Sequence, residues 1–108
     1  MGPSRQTKRG RNAAQTPAQV EAATALAIAA LGFMAADPER LGRFLSLTGI
    51  DPQTIRTAAA EPGFLLGVLD HLAGDESLLL DFAQRNEIDP DQVRVARSVL
   101  AGADEERG

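Results

Sequence analysis

His71 is the only histidine of this 108-residue chain, and acidic side chains flank it in sequence. These acidic residues are Asp70, Asp75, Glu76 and Asp81. Imidazole and carboxylate groups together can bind a divalent cation or transfer protons. Their spacing has neither the alternation of an EF-hand loop nor the two histidines of an H-E-x-x-H helix. The sequence therefore predicts no metal site here, and we interpret Asp75 and Glu76 as acids that stabilise the positive end of a following helix.

Other arrangements that support catalysis are missing from the sequence. The chain has no cysteine, which excludes disulfides, thiolate chemistry and cysteine-ligated metal sites. No G-x-S-x-G motif accompanies His71, and no glycine-rich phosphate-binding loop is present. A domain of this size also offers little room for a deep ligand cleft. We therefore predict a non-enzymatic protein without catalytic residues, cofactor, metal or small-molecule substrate, in which His71 is structural or solvated.

The composition favours a single domain made of helices. A chain of 108 residues is long enough for one hydrophobic core and short for two. Hydrophobic residues make up 44% of the sequence, but aromatic residues only 4%, with neither Trp nor Tyr. Leu, Ile, Val and Ala must therefore fill the core around four Phe, and this palette suits packed helices better than a sheet.

The formal charge of −4 is unevenly distributed along the chain. Four cations, Arg5, Lys8, Arg9 and Arg11, lie in the first twelve residues, which contain no acid. The remainder holds seven basic and fifteen acidic side chains, a net charge of −8. The first residues also have no apolar period. We predict a disordered basic leader over 1–15, a helical domain over 16–102 and a disordered acidic tail over 103–108.

An uncharged, alanine-rich run covers residues 22–36. It is shorter than the roughly 20 apolar residues that a membrane span needs. We interpret it as part of a central helix buried on more than one side, with Leu26, Ile28 and Phe33 widening the buried stripe. A cleaved signal peptide is the alternative, since a basic segment precedes the run, although a proline and a glutamate intervene. The prediction is a cytoplasmic protein without a membrane span.

Helix-capping residues recur along the chain. Thr16 and Gln19, with a proline between them, form the pattern of a capping box. Asp-Pro pairs mark three further helix starts, at 37–38, 51–52 and 89–90. Glycine tolerates the left-handed conformation that ends many helices, and it is predicted to do so at Gly49, Gly74 and Gly102. Six helices are predicted, at about 17–35, 38–47, 52–60, 63–73, 76–86 and 90–101.

Two of the helix junctions are alike. A shift of 38 residues aligns eight identical residues within a 22-residue window. The identical pairs are Asp37/Asp75, Leu41/Leu79, Phe44/Phe82, Ile50/Ile88, Asp51/Asp89, Pro52/Pro90, Arg56/Arg94 and Ala58/Ala96. We predict a compact all-α bundle with a duplicated helix-turn-helix unit, over 37–60 and 75–98, in which both phenylalanines belong to the core.

Three sequence segments carry a resemblance to a known family. They are ADPERL at 36–41, FLSLTGIDP at 44–52 and DESLLL at 75–80. Over about residues 20–102 the chain resembles a small, uncharacterised all-helical family common in alphaproteobacteria. The resemblance implies a helical fold and a bacterial cytoplasmic setting, and it supplies no active-site residues.

Two functional hypotheses remain. In the first, the domain is a protein-interaction module that binds a protein partner or itself. Apolar residues that fall off the main helical stripes are its candidate partner surface, namely Leu47, Leu66, Leu80 and Val95. A core broader than these stripes is the competing interpretation of the same residues.

In the second hypothesis, the helix-turn-helix units bind nucleic acid through Arg56, Arg94 and Arg97, with the basic leader as an arm. The acidic body argues against it, because phosphate neutralisation supplies most non-specific affinity. We therefore favour the interaction module.

Overall fold

The computed structural model describes residues 16–58 and 62–107, and this part of the chain contains helices and turns but no strand. Five helices follow one another: α1 (Pro17–Ala35), α2 (Pro38–Thr48), α3 (Pro62–Ala73), α4 (Glu76–Arg85) and α5 (Pro90–Arg107). Between α2 and α3 lies a short helical segment, composed of a 3₁₀ turn (Pro52–Thr54) and a single α-helical turn (Ile55–Ala58). The predicted all-α class is confirmed. The predicted basic leader, 1–15, lies outside the described residues.

Side-chain caps start the helices where the sequence predicts them. The Thr16 hydroxyl accepts from the Gln19 amide at 3.2 Å, and the Thr16 amide donates to Gln19 Oε1 at 2.9 Å, which completes the capping box of α1. Asp37 and Asp75 accept backbone amides at the starts of α2 and α4, at 3.0 and 3.2 Å. Gly49 ends α2 at φ 74°, a left-handed conformation in which a side chain would add strain.

The core forms where α5 packs against α1 and α3. α1 also contacts α2 and α3, and α4 lies against α3. The Phe33 ring near the end of α1 packs edge-on against Phe82 of α4, with ring centroids 5.4 Å apart. The fully buried large side chains are Met34, Phe44, Leu65, Val68, Leu69, Leu72, Leu79, Phe82, Val93 and Leu100.

The prediction that α1 is buried on more than one side is wrong. Its buried residues lie on one face: Ala23, Ala27, Ala30, Phe33 and Met34. Ile28, predicted to widen the buried stripe, is 51% exposed. The uncharged run misled the prediction because alanine lengthens an apolar stretch without requiring burial: it is the best helix former and has little apolar surface.

Six helices and a duplicated helix-turn-helix unit are not confirmed. Of the predicted helix over 52–60, residues 52–58 form the short helical segment and residues 59–60 lie outside the described part of the chain, whereas the counterpart helix α5 is 18 residues long. The first halves of the two units do agree: each begins with an aspartate cap, and Phe44 and Phe82 are both 0% exposed, as predicted.

The predicted helix end at Gly102 is also wrong. α5 continues to Arg107, so residues 103–107, predicted as a disordered tail, have helical backbone. A glycine inside a helix costs about 1 kcal/mol relative to alanine, which lowers stability without forcing a stop. The residues that follow, Ala103 to Arg107, are mostly good helix formers.

We expect Phe44→Ala and Phe82→Ala each to lower the free energy of unfolding by about 3–5 kcal/mol, because both rings are fully buried. Urea denaturation followed by circular dichroism measures the loss. Leu47→Ala is the matched control, since Leu47 is 70% exposed and its truncation should cost less than about 0.5 kcal/mol. Equal losses in core and control variants would contradict the assignment of the core.

Candidate interaction surface

An apolar groove of about 310 Å³ lies between α1 and α5. We call it the α1/α5 groove, and its lining consists of Gln19, Ala22, Ala23, Leu26, Gln92, Val95, Ala96 and Val99. α1 and α5 each contribute residues at helical intervals of three and four, so the groove runs along the seam between the two helices. Leu26 and Val99 are half-buried, and Val95 is 62% exposed. The groove therefore presents aliphatic surface to solvent.

None of the described lining residues of the α1/α5 groove is charged. Its two polar residues already serve as helix caps. Gln19 Oε1 accepts the Thr16 amide at 2.9 Å, and Gln92 Oε1 accepts the Asp89 amide at 3.1 Å. Because their carbonyl oxygens are engaged by backbone, the groove offers apolar contact over most of its length. Such a surface suits an apolar side chain or helix face better than a charged ligand.

The four residues predicted as a partner surface have different environments. Val95 lies in the α1/α5 groove. Leu47 and Leu80 are exposed on α2 and α4, 70% and 48% respectively, outside the groove lining. Leu66 is half-buried and packs against the core cluster, which agrees with the broader-core interpretation for this position.

Leu26 and Val99 line the groove but were not predicted to do so from the sequence. A signal was present, because Ala22 and Leu26 are four apart on one helix, as are Val95 and Val99 on another. Each pair is a short apolar ridge beside the main buried stripe. Helical periodicity alone does not show that the two ridges line the same groove, since that depends on how α5 packs against α1.

A smaller polar cleft of about 150 Å³ surrounds His71. Its lining mixes both signs of charge: Asp37, Glu39, Arg40, Arg43, His71, Asp75 and Leu78. Two of the acids, Asp37 and Asp75, are the helix caps of α2 and α4. Within residues 16–58 and 62–107, no three His, Asp or Glu side chains come together as a group that could hold a metal ion.

His71 packs against the core at the edge of this cleft. Its ring meets the Phe44 ring edge-on, with centroids 5.2 Å apart. Burial lowers the pKa of His71 below its ordinary value, the Asp75 carboxylate opposes this by raising the pKa, and the Arg43 guanidinium lowers it further. The neutral imidazole is therefore favoured in the folded protein.

Arg40 connects three helices next to the same cleft. Its guanidinium carbon lies 4.0 Å from the centroid of the Phe33 ring, a cation–π contact with α1. The same side chain is 3.6 Å from a carboxylate oxygen of Asp37 and 3.5 Å from one of Asp81 on α4. These contacts give Arg40 a structural role between α1, α2 and α4.

The arginines of the nucleic-acid hypothesis are engaged with carboxylates where the structure describes them. Arg94 NH1 lies 2.7 Å from an oxygen of Asp91, and Arg97 forms an ion pair with Asp70. Both pairs are exposed, so their net stabilisation is small. The pairing nevertheless lowers the positive potential that these two side chains would offer to phosphate. The side chain of Arg56 is outside the described set.

α1 is long and apolar enough to cross a membrane by length and composition alone. Only 28% of the 18-residue apolar stretch of α1 that meets this criterion is buried in the structure. A core helix of a soluble protein and a signal sequence near an N-terminus both meet this criterion. In the described structure, α1 contributes the fully buried Ala27, Ala30 and Met34 to the core.

Comparison with known proteins identifies a family. The family model described as "Protein of unknown function (DUF3572)" matches residues 20–103, and the chain belongs to this family. No curated protein and no solved structure matches the chain. This match confirms the prediction that the chain resembles an uncharacterised protein family.

The lowered pKa of His71 predicts a specific dependence of stability on pH. The unfolded chain binds a proton at its ordinary pKa of 6.5, above the folded value. Stability from His71 is therefore fully present above pH 6.5 and is lost as pH falls from 6.5 through the folded pKa. Between pH 7.5 and 5.5 we expect the free energy of unfolding to fall more in the wild type than in His71→Gln. Urea titrations at the two pH values measure this, and equal losses would contradict the prediction.

Proposed function

We propose that this member of a family of unknown function is a small, non-enzymatic interaction protein, and that the α1/α5 groove is its binding surface. The observation that carries the proposal is an aliphatic groove that is open to solvent and has no charged residue in its described lining, in a protein of which 24% of the residues are charged. Contiguous exposed apolar surface marks interaction sites more often than isolated apolar residues do. The proposed setting is the cytoplasm of a bacterium.

The shape of the groove favours a helical partner segment. Two neighbouring helices form a trough in which the apolar face of a third helix can insert side chains at intervals of three and four residues. Val95 projects at the rim of this trough, whereas Leu26 and Val99 form its half-buried walls. A partner helix would remove all three from water and would leave its polar face in solvent.

The chemistry of the alternative hypothesis receives less support. The body after residue 12 carries fifteen acidic and seven basic side chains, which opposes binding to a polyanion. The arginines on α5 are paired with carboxylates as described above. We therefore propose contact with protein rather than with nucleic acid.

The proposal requires that α1 remains part of the mature protein. Cleavage after residue 36 would remove one wall of the groove together with Phe33 and Met34 of the core. We expect intact-mass spectrometry of the protein from its native cells to show α1 retained. A mature chain that begins at or near residue 37 would instead establish α1 as a signal peptide and would contradict the proposal.

Val95→Asp tests the groove as the binding surface. The substitution places a carboxylate in an aliphatic groove at a position that is 62% exposed, so it should weaken partner binding without disturbing the fold. Tagged wild type and variant are used to capture proteins from a lysate of the native cells, and mass spectrometry quantifies each captured protein. We expect at least one protein to be captured at about one tenth of its wild-type level or less.

Leu80→Asp is the matched control, since Leu80 is 48% exposed but lies outside the groove. The proposal predicts wild-type capture by this control. If every captured protein responds equally to the two substitutions, or to neither, the groove is not the binding surface. Enrichment of nucleic acid with the wild type, reduced by Arg94→Ala and Arg97→Ala, would favour the alternative hypothesis.

A further inference from the structure

We propose that α2 is a pH-responsive flap, which detaches from α3 when the His71 imidazole gains a proton, while α1, α3 and α5 remain packed together. The proposed function does not depend on this flap, because the described lining of the α1/α5 groove contains no residue of α2. Three features support the flap: the attachment of α2 to its neighbours, the position of His71 in that attachment and the charges around the imidazole.

α2 is attached to the rest of the domain by one fully buried side chain. The structure describes all eleven residues of α2, and Phe44 is the one among them that is buried, at 0% exposure. Leu41 and Leu45 are half-buried against the core. α4 is one residue shorter, yet it buries three side chains: Leu79, Phe82 and Ala83. An element with few buried apolar contacts opens at a lower free energy than the core, so we expect α2 to open locally.

The Phe44 ring contacts two rings of α3. Its centroid lies 6.1 Å from that of Phe64 and 5.2 Å from that of His71, and both contacts are edge-on. Phe64 and His71 are seven residues apart, which is about two turns and about 10.5 Å along α3. His71 is therefore the titratable one of the two α3 rings against which the buried side chain of α2 packs.

Charged groups surround His71 in the polar cleft. α2 and its cap contribute Asp37, Glu39, Arg40 and Arg43, and the cap of α4 contributes Asp75. On α3 itself, Asp70 precedes His71 and forms an ion pair with Arg97 of α5. The cleft lining thus carries three carboxylates and two guanidinium groups besides the imidazole. Its net charge is small, so the groups closest to the imidazole decide whether the proton is favoured.

The imidazole is kept neutral by effects that depend on α2. Burial is the largest effect and lowers the pKa of His71, the Asp75 carboxylate raises it, and the Arg43 guanidinium lowers it. Phe44 packs against the ring and Arg43 belongs to the same helix, so detachment of α2 hydrates the imidazole and removes the nearby cation. Asp75 belongs to the cap of α4 and stays near His71 in both states. The proton therefore favours the detached state.

Arg40 gives α2 a second attachment, which does not titrate. Its guanidinium carbon lies 4.0 Å from the centroid of the Phe33 ring, and a guanidinium nitrogen lies 3.5 Å from a carboxylate oxygen of Asp81. A guanidinium stays charged over the whole range in which histidine titrates. The pH-dependent part of the attachment is therefore confined to His71 and Phe44.

Linkage between proton binding and detachment fixes the direction and the limit of the response. In the detached state His71 has its ordinary pKa of 6.5, above its value in the attached state. The equilibrium constant for detachment therefore rises as pH falls through 6.5. From about pH 7.5 to about pH 5.5 the rise is limited to about tenfold, the value reached when the attached state binds no proton over this range.

Hydrogen exchange of the full chain, followed by mass spectrometry at about pH 7.5 and about pH 5.5, tests the flap. Backbone amides of residues 42–48 report on α2, and those of residues 94–100 report on α5 in the core. After correction for the pH dependence of the chemical exchange rate, the α2 amides should exchange faster than the α5 amides at both pH values. The opening constant of α2 should be several-fold higher at the lower pH. Protection of α2 equal to that of α5, or an opening constant that does not rise at the lower pH, overturns the inference.

His71→Gln assigns the response to the imidazole. Glutamine keeps a polar side chain at this half-buried position but does not titrate, so the opening constant of α2 should be the same at the two pH values. Circular dichroism at both pH values verifies that the variant keeps its helices. A rise of wild-type size in this variant overturns the inference.

Substitutions of Arg43 test the same mechanism at an exposed position, where the fold tolerates them. Arg43→Gln removes the cation that opposes the proton in the attached state, and Arg43→Glu replaces it with a carboxylate that favours the proton. The rise in the opening constant should be largest in the wild type, smaller in Arg43→Gln and smallest in Arg43→Glu. Arg94→Glu, at an exposed position of α5 outside the cleft, is the matched control and should respond as the wild type does. An Arg43 series without this order, or an equal change in the control, overturns the inference.

Discussion

The packing of α1 is the constraint on which the rest of the structure depends. Its buried face changes from small to large along the helix, with Ala23, Ala27 and Ala30 followed by Phe33 and Met34. Against the alanines, neighbouring helices can approach closely. At the phenylalanine end, large rings from α1 and α4 pack against each other, and the Arg40 guanidinium lies over the Phe33 ring. One helix therefore sets both the spacing of its neighbours and the location of the aromatic part of the core.

The same change in size explains where the groove lies. In the first half of α1, the small side chains of Ala22 and Ala23 line the groove together with Ala96 of α5, and they leave the seam between the two helices unfilled. The larger buried residues of α1, Phe33 and Met34, lie outside the groove lining. The groove is thus a direct result of the residues that allow the helices to approach, and no separate structural element is needed to form it. A larger residue at position 22 would fill the groove without entering the core.

Local features of the fold could be predicted from the sequence, and tertiary ones could not. The capping box at Thr16, the aspartate caps and the left-handed Gly49 depend on residues within one turn of each other, so their patterns suffice. Burial of Phe44 and Phe82 followed from helical periodicity. The exposed side of α1, by contrast, depends on how many helices are available to cover it. An uncharged run does not contain that information.

The residues of the α1/α5 groove could likewise be predicted only in part from the sequence. Val95 could be singled out as apolar and off the main stripe, but so could Leu47, Leu66 and Leu80. Val95 differs from the others because α5 packs against α1, so that Ala22 and Leu26 of α1 line the same groove. Leu66 instead packs against the hydrophobic core. Helical periodicity ranks these positions equally because it describes each helix alone, and only the packing of helices separates a groove residue from an isolated one.

Charge and apolar exposure are coupled in this small protein. A domain that exposes an aliphatic groove is prone to non-specific association, and a high net charge opposes it by repulsion between bodies. With fifteen acids and seven bases after residue 12, repulsion acts on every approach except one that buries apolar surface away from the carboxylates. The acidic surface therefore disfavours non-specific association and leaves apolar surface away from the carboxylates as the place where a specific contact would cost least.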